Sequence, residues 1–211
     1  MHPRIYREFE TICSERRING SVLEVGAVPS STSLLCMKAL EGATEKTGIN
    51  LSGPAEFGGF RIIGGNANCM ACFEADRFDA VLCNAVLEHD KYFWKTIAEI
   101  KRVTRPGGTI VIGTPGYRYL RPERAKIFLR KIPLIGSLIS NEYLNFFFTA
   151  TFTFQIHDAP GDYYRFSPQA FKEVFFDGMD DVEVRSIMLP PRIIGVGTKK
   201  FMPNAARSQG D

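Results

Sequence analysis

The run Ser21-Val-Leu-Glu-Val25 stops on Gly26, and the next residues suited to cap a helix are Ser30-Ser-Thr-Ser33. A short apolar strand that ends on glycine and leads into a helix narrows the choice of fold. Glycine lets the chain turn sharply and lets a ligand come close to the backbone. In open α/β sheets the turn after the first strand is where nucleotide-like cofactors bind. A second run, Phe78-Asp-Ala-Val-Leu-Cys83, carries three apolar residues in succession. That is the pattern of a strand covered on both faces, as in a parallel sheet.

The remaining elements alternate accordingly. Ile5, Phe9, Ile12 and Cys13 fall at helical spacing within residues 4–18 and predict an amphipathic leading helix. Leu34 to Leu40 reads as the helix after the first strand, capped by the serines and stopped by Gly42. Thr47–Leu51 and Phe60–Ile63 read as the second and third strands. Lys91–Val103 is a helix, broken by Pro106-Gly107-Gly108 before a fifth strand at Thr109–Gly113. Ser167 and Pro168 open a helix that runs to Phe176. Val182–Leu189 and Ile193–Lys199 form a closing antiparallel pair joined through Pro190-Pro191. Strands alternating with helices imply an α/β fold, Rossmann-like, with a mostly parallel seven-stranded sheet and a closing antiparallel hairpin.

A chain of 211 residues suits one domain, here taken as 1–211. The net charge of +3 is too mild to indicate a nucleic-acid partner. The first residues lack the apolar run of a secretory signal, and no run of about 18 apolar residues suggests a spanning helix. Five cysteines, an odd number, argue against a disulfide framework and for a cytoplasmic protein. Cys69-Met-Ala-Cys72 lacks the second ligand pair of a structural zinc site, so no metal is expected. Residues 203–211 read as a frayed tail.

Five segments in order carry a family resemblance. They are Val22-Leu-Glu-Val-Gly26, Thr47-Gly-Ile-Asn-Leu-Ser52, Phe78-Asp-Ala-Val-Leu-Cys-Asn-Ala-Val-Leu-Glu-His89, Arg102-Val-Thr-Arg-Pro-Gly-Gly-Thr-Ile-Val-Ile112 and Asp162-Tyr-Tyr-Arg-Phe-Ser-Pro168. Together they resemble the class I S-adenosylmethionine-dependent methyltransferases, methyltransferase type 11, over residues 20–200 apart from 117–156. The resemblance implies S-adenosylmethionine as cofactor. It places Gly26 and Ala27 under the methionine end and Glu24 near the ammonium. Asn50, with Leu51 beside it, stands at the ribose, where the family usually has an acidic residue. Asn66 stands at the adenine side, with Asn68 as the alternative register. Asn84 and Ala85 would face the sulfonium and the methyl acceptor; a turn residue closing a strand is the other reading of Asn84.

The sequence departs from the family at the glycine-rich turn, which here reads Gly26-Ala-Val-Pro-Ser30. Pro29 fixes φ and removes an N–H donor. Neutral acceptors at residues 50 and 66 weaken binding on the order of 30-fold if each loses about 1 kcal/mol. By this reading Asn50→Asp would tighten binding. Two functions follow: methyl transfer to a small-molecule or lipid-linked acceptor, or a binding or scaffold protein that kept the fold and lost the cofactor.

Methyl transfer is mainly a matter of alignment, with a base useful for a hydroxyl acceptor. His89 and His157 are the candidate bases, since imidazole titrates near neutrality; a capping or core histidine is the other reading of His89. Tyr163, Tyr164 and Arg165 are candidates for shaping the acceptor pocket, or else for packing a loop. The segment 117–156 is long for a connection and passes from basic residues to an apolar, phenylalanine-rich stretch. It reads as an inserted lid. Peripheral membrane contact through 117–154 and a homodimer interface are two further uses of the same pattern.

Overall fold

The structure, a computed structural model, describes residues 1–117 and 161–201. His157, nearly all of the 117–156 insertion and the tail lie outside the described residues.

Helix α1 (Pro3–Glu15) begins with Pro3 in its first turn, and His2 Nδ1 accepts from the Arg4 amide at 3.2 Å. Its Ile5, Phe9, Ile12 and Cys13 are buried, as their spacing predicts. The strands are β1 (Ser21–Val25), β2 (Glu45–Asn50), β3 (Ala55–Phe57), β4 (Phe60–Gly64), β5 (Phe78–Asn84), β6 (Thr104–Pro115), β7 (Asp180–Ile187) and β8 (Arg192–Thr198). They form one sheet in the order β3-β4-β2-β1-β5-β6-β8-β7. The five strands β4-β2-β1-β5-β6 are mutually parallel, and β8 runs antiparallel to both β6 and β7. The α/β class and the closing hairpin are therefore as expected. The sheet has eight strands because β3 adds an antiparallel edge to β4.

Each face of the sheet has its own apolar layer. Leu23, Val81, Ile110 and Ile112 pack with Ile97, Ile100 and Val103 of helix α2 (Phe93–Val103) and with Phe171 and Phe175. Val22, Ala80, Leu82 and Val111 pack with α1 and with Leu34, Leu35 and Leu40. Central strands must be apolar on both sides, which is why their runs are continuous.

The helix expected after β1 is instead two 3₁₀ turns, Leu34–Cys36 and Lys38–Leu40, separated by an extended Met37. The Lys38 amide, which a continuous helix would have bonded within itself, goes to a distant carboxylate, while the first-turn amides are capped by another. Glu24 accepts from Leu34 and Leu35, and Glu10 Oε1 accepts from the Lys38 amide at 3.1 Å. Helix α3 (Pro168–Ala170) is likewise short and continues as a π turn over Phe171–Phe175, with Ser167 Oγ accepting from the Ala170 amide at 3.0 Å. The Pro106-Gly107-Gly108 segment lies inside β6, where Gly107 has φ +76° and its amide donates to the Lys199 carbonyl at 2.7 Å.

Candidate active site

The chain order places β1 between β2 on one side and β5 on the other. The connections leaving β1 and β4 diverge there, and such a switch point opens a crevice at the carboxyl ends of the strands. A cleft of about 410 Å³ lies at that place. Its walls include Gly26 after β1, Asn50 at the end of β2 and Leu51 after it, Asn66 and Asn68 after β4, Ala85 and His89 after β5, and Tyr163.

Gly26 takes φ +83°, and a Cβ built on it would sit 2.3 Å from Val86 Cγ2. Glycine is thus required by conformation and by space. Ala85 has φ +56°, unusual for a residue with a side chain, and its amide donates to the Gly113 carbonyl at 2.9 Å. Such conformations persist where the surroundings enforce them, commonly at functional sites.

The remaining site residues of the sequence reading divide between cleft and core. Ala27 is fully buried, packed toward Gly48 and Ile62. Glu24 is also buried and does not line the cleft. Its carboxylate accepts from Ser33 Oγ and from the Leu34 and Leu35 amides, so it braces the turn after β1. Burial raises its pKa, and those three donors oppose the rise. Asn84 lies against Gly113 and outside the cleft walls.

Asn50 is in the cleft, with its amide engaged. Nδ2 donates to the Ala27 carbonyl at 2.8 Å, and Oδ1 accepts from the Ser52 amide and hydroxyl, both at 3.2 Å. Asn66 Oδ1 accepts from the Asn68 amide at 2.9 Å. Asn68 donates in turn to Asp90 Oδ2 at 2.6 Å and to Thr96 Oγ1 at 2.8 Å, which ties the β4 turn to α2.

Tyr163 stands at the rim, 56% exposed, while Tyr164 packs on Phe93 and Phe166 and donates its hydroxyl to the Lys91 carbonyl at 3.1 Å. Arg165 makes a two-pronged pair with Asp162 and does not reach the cleft. The amides of Tyr163 and Tyr164 both donate to the Glu88 carbonyl, at 2.8 and 3.2 Å. The loop from 161 to 166 is thereby laid across the residue before His89.

The sequence reading passed over Glu88 and Arg192. Glu88 is completely buried, and neither carboxylate oxygen has a hydrogen-bond partner among the described residues. His89 Nε2 lies 4.0 Å from its Oε1. Burial pushes the Glu88 pKa up to about 7, against the pull of Arg192 and Arg165. Arg192 Nη1 is buried and also lacks a hydrogen-bond partner among the described residues. Glu88 stands in the segment Phe78–His89 that carries the resemblance, whereas no motif marks Arg192. Cys69 and Cys72 are both exposed and free, and no group of three or more potential metal ligands occurs among the described residues.

Comparison with known proteins agrees with this geometry. Residues 26–112 match a family model described as a methyltransferase domain. No curated protein matches the chain in sequence. A putative methyltransferase of Bacillus halodurans superposes with TM-score 0.57 at 10% identity, covering 93% of this chain and 99% of that one. The 1,6-didemethyltoxoflavin-N1-methyltransferase of Burkholderia thailandensis, solved with its substrate and S-adenosylhomocysteine, gives 0.58 at 16% identity, covering 93% and 78%. Phosphoethanolamine N-methyltransferase 2 of Haemonchus contortus, bound to S-adenosylmethionine, gives 0.58 at 13% identity, covering 94% of this chain and 53% of that one. The family match thus spans less than half of the chain, and the fold as a whole is the one seen in these methyltransferases. Among the described residues, no helix is long and apolar enough to cross a membrane.

Proposed function

We propose that this protein is an S-adenosylmethionine-dependent methyltransferase acting on a small-molecule acceptor. The observation that carries the reading is the cleft at the switch point, whose walls include the positive-φ residues Gly26 after β1 and Ala85 after β5. Its volume is within the usual range for a small-ligand site, roughly 300–1,000 Å³. The residues fit the cofactor at its methionine and adenine ends. Gly26 would lie beneath the amino-acid part, and Asn66 and Asn68 beside the base. When bound, the cofactor supplies a methyl group on a sulfonium, a good leaving group.

The work left to the chain is positioning and exclusion of water. Ala85 would hold the acceptor in line with the methyl group. Tyr163 would close the rim. His89, which also lines the cleft, would take the proton that a hydroxyl or amine acceptor gives up. The acceptor class draws support from neighbours of this fold that act on small molecules.

A second reading, a binding or scaffold protein with the same fold, is favoured by Asn50. Both lone-pair directions of its oxygen serve Ser52, so it has little left to accept from ribose hydroxyls. Calorimetric titration with S-adenosylmethionine and S-adenosylhomocysteine separates the two. Saturable micromolar binding supports the enzyme. No heat up to millimolar ligand rejects it in favour of the scaffold.

A further inference from the structure

Buried charges are rarely left without partners, because the protein must replace the water they lose. Glu88 and Arg192 break this rule together. Glu88 is fully buried, Arg192 is half-buried with Nη1 shut off from solvent, each lacks a hydrogen bond at the atoms named above, and they feel one another's charge without pairing. Glu88 lies on the turn after β5 and Arg192 at the start of β8, and β6 runs between those strands. The neighbouring charges do not take up the vacancy. Arg165 is committed to Asp162, and His89 Nε2 stands 4.0 Å from Glu88.

The place is next to the cleft. Ala85 and His89, on the same turn as Glu88, line it, as does Tyr163, whose amide is bonded to the Glu88 carbonyl. A carboxylate and a guanidinium, unsatisfied and not joined, match a ligand that brings both complements. We infer that Glu88 and Arg192 form an acceptor subsite for a small zwitterion, with its ammonium on Glu88 and its anionic oxygens on Arg192. The inference rests on the methyltransferase reading for the word acceptor, though not for the binding itself. The Tyr163 and Tyr164 amides tie loop 161–166 to the Glu88 carbonyl, so this loop borders the subsite.

The subsite also has an expected pH dependence. Glu88 ionises near pH 7, and the groups facing it are Arg192 on β8, Arg165 and Asp162 on the loop, and His89 beside it. Binding of an ammonium group therefore strengthens as pH rises from 6 to 8.

The test uses the full chain with saturating S-adenosylhomocysteine and three probes: glycine, acetate and methylammonium. Nuclear magnetic resonance follows the Arg192 side-chain Nε–H signal. Glycine is expected to bind at least tenfold more tightly than either single-charge probe, and more tightly at pH 8 than at pH 6. Glu88→Gln and Arg192→Met should each remove that advantage and leave the affinity for S-adenosylhomocysteine unchanged. Glycine binding no better than acetate or methylammonium in the wild type overturns the proposal, whether or not the variants fold. So does an advantage that survives in both variants. If S-adenosylhomocysteine itself fails to bind, the methyltransferase reading falls, and the glycine comparison without it still decides the subsite.

Discussion

Asn50 Nδ2 donates to the carbonyl of Ala27 at 2.8 Å, joining the end of β2 to the turn after β1. The bond ties Asn50, on the cleft wall, to the buried turn after β1. An aspartate here has no N–H to give and would set a negative charge against the Ala27 carbonyl. Asn50→Asp is therefore expected to lower stability by about 1–2 kcal/mol. It should also weaken S-adenosylhomocysteine binding, the reverse of what the sequence alone suggests. Thermal melts and calorimetry on the variant check both, and tighter binding would reinstate the simple ribose role.

Gly26 is held by two independent constraints, its φ of +83° and the 2.3 Å approach of Val86 Cγ2 to a Cβ built there. Replacing Gly26 should thus damage folding as well as the cleft. Gly26→Ala is expected to cost about 1–3 kcal/mol. Adding Val86→Ala relieves the clash and leaves the backbone strain, so the double variant should recover only part of the loss. Circular dichroism melts measure this, and full recovery would show that space alone mattered.

Glu88 gives the protein a pH-dependent penalty. Folded, its carboxyl keeps its proton to about pH 7; unfolded, it releases it near 4.5. Between those values the folded state binds more protons, so stability falls as pH rises through this window and is level above it. The shift corresponds to about 3 kcal/mol at most. Glu88→Gln should raise stability by roughly 1–3 kcal/mol at pH 8 and change it little at pH 4.5. Glu24, also raised by burial, is present in both proteins and cancels from the comparison. Urea titrations at the two pH values provide the measurement, and an equal effect at both would show that Glu88 ionises normally.

Ser33 links the first turn to β1. Its hydroxyl donates to the buried Glu24 carboxylate and accepts from the Leu35 amide at 3.3 Å. Ser33→Ala should cost about 1–3 kcal/mol, because it leaves a buried carboxylate short of a donor. The loss is expected in the denaturation midpoint, and a midpoint equal to wild type would mean that water replaces the hydroxyl.

What could be read in the sequence was whatever a short window decides. Val81, Leu82 and Cys83 are buried on a central strand, and a run of apolar residues says so directly. Ile5, Phe9 and Ile12 keep helical spacing because one face of α1 meets the sheet. The 3₁₀ turns after β1 were not legible, since the carboxylate that takes the Lys38 amide comes from Glu10, 28 residues away in the sequence. Strand β3 is three residues long with no alternation to betray it. In the cleft, Gly26, Asn50, Asn66, Ala85, His89 and Tyr163 were readable from motif positions, and the structure brings them to its walls. The turning of Glu24 toward Ser33, and the electrostatic pull of Arg192 on Glu88, depend on the approach of distant segments.

Strand β3 has a consequence beyond the cleft. A sheet ends in two rows of amides and carbonyls that invite another chain to add itself. One end here is the three-residue β3, with Glu56 exposed, and the other is β7, whose first residues Asp180 and Asp181 are exposed too. Brevity guards one border and acidic side chains guard the other. The stickiest part of the polypeptide, its parallel interior, therefore lies away from both borders, between a strand too short to template a second chain and one that begins on two exposed acids.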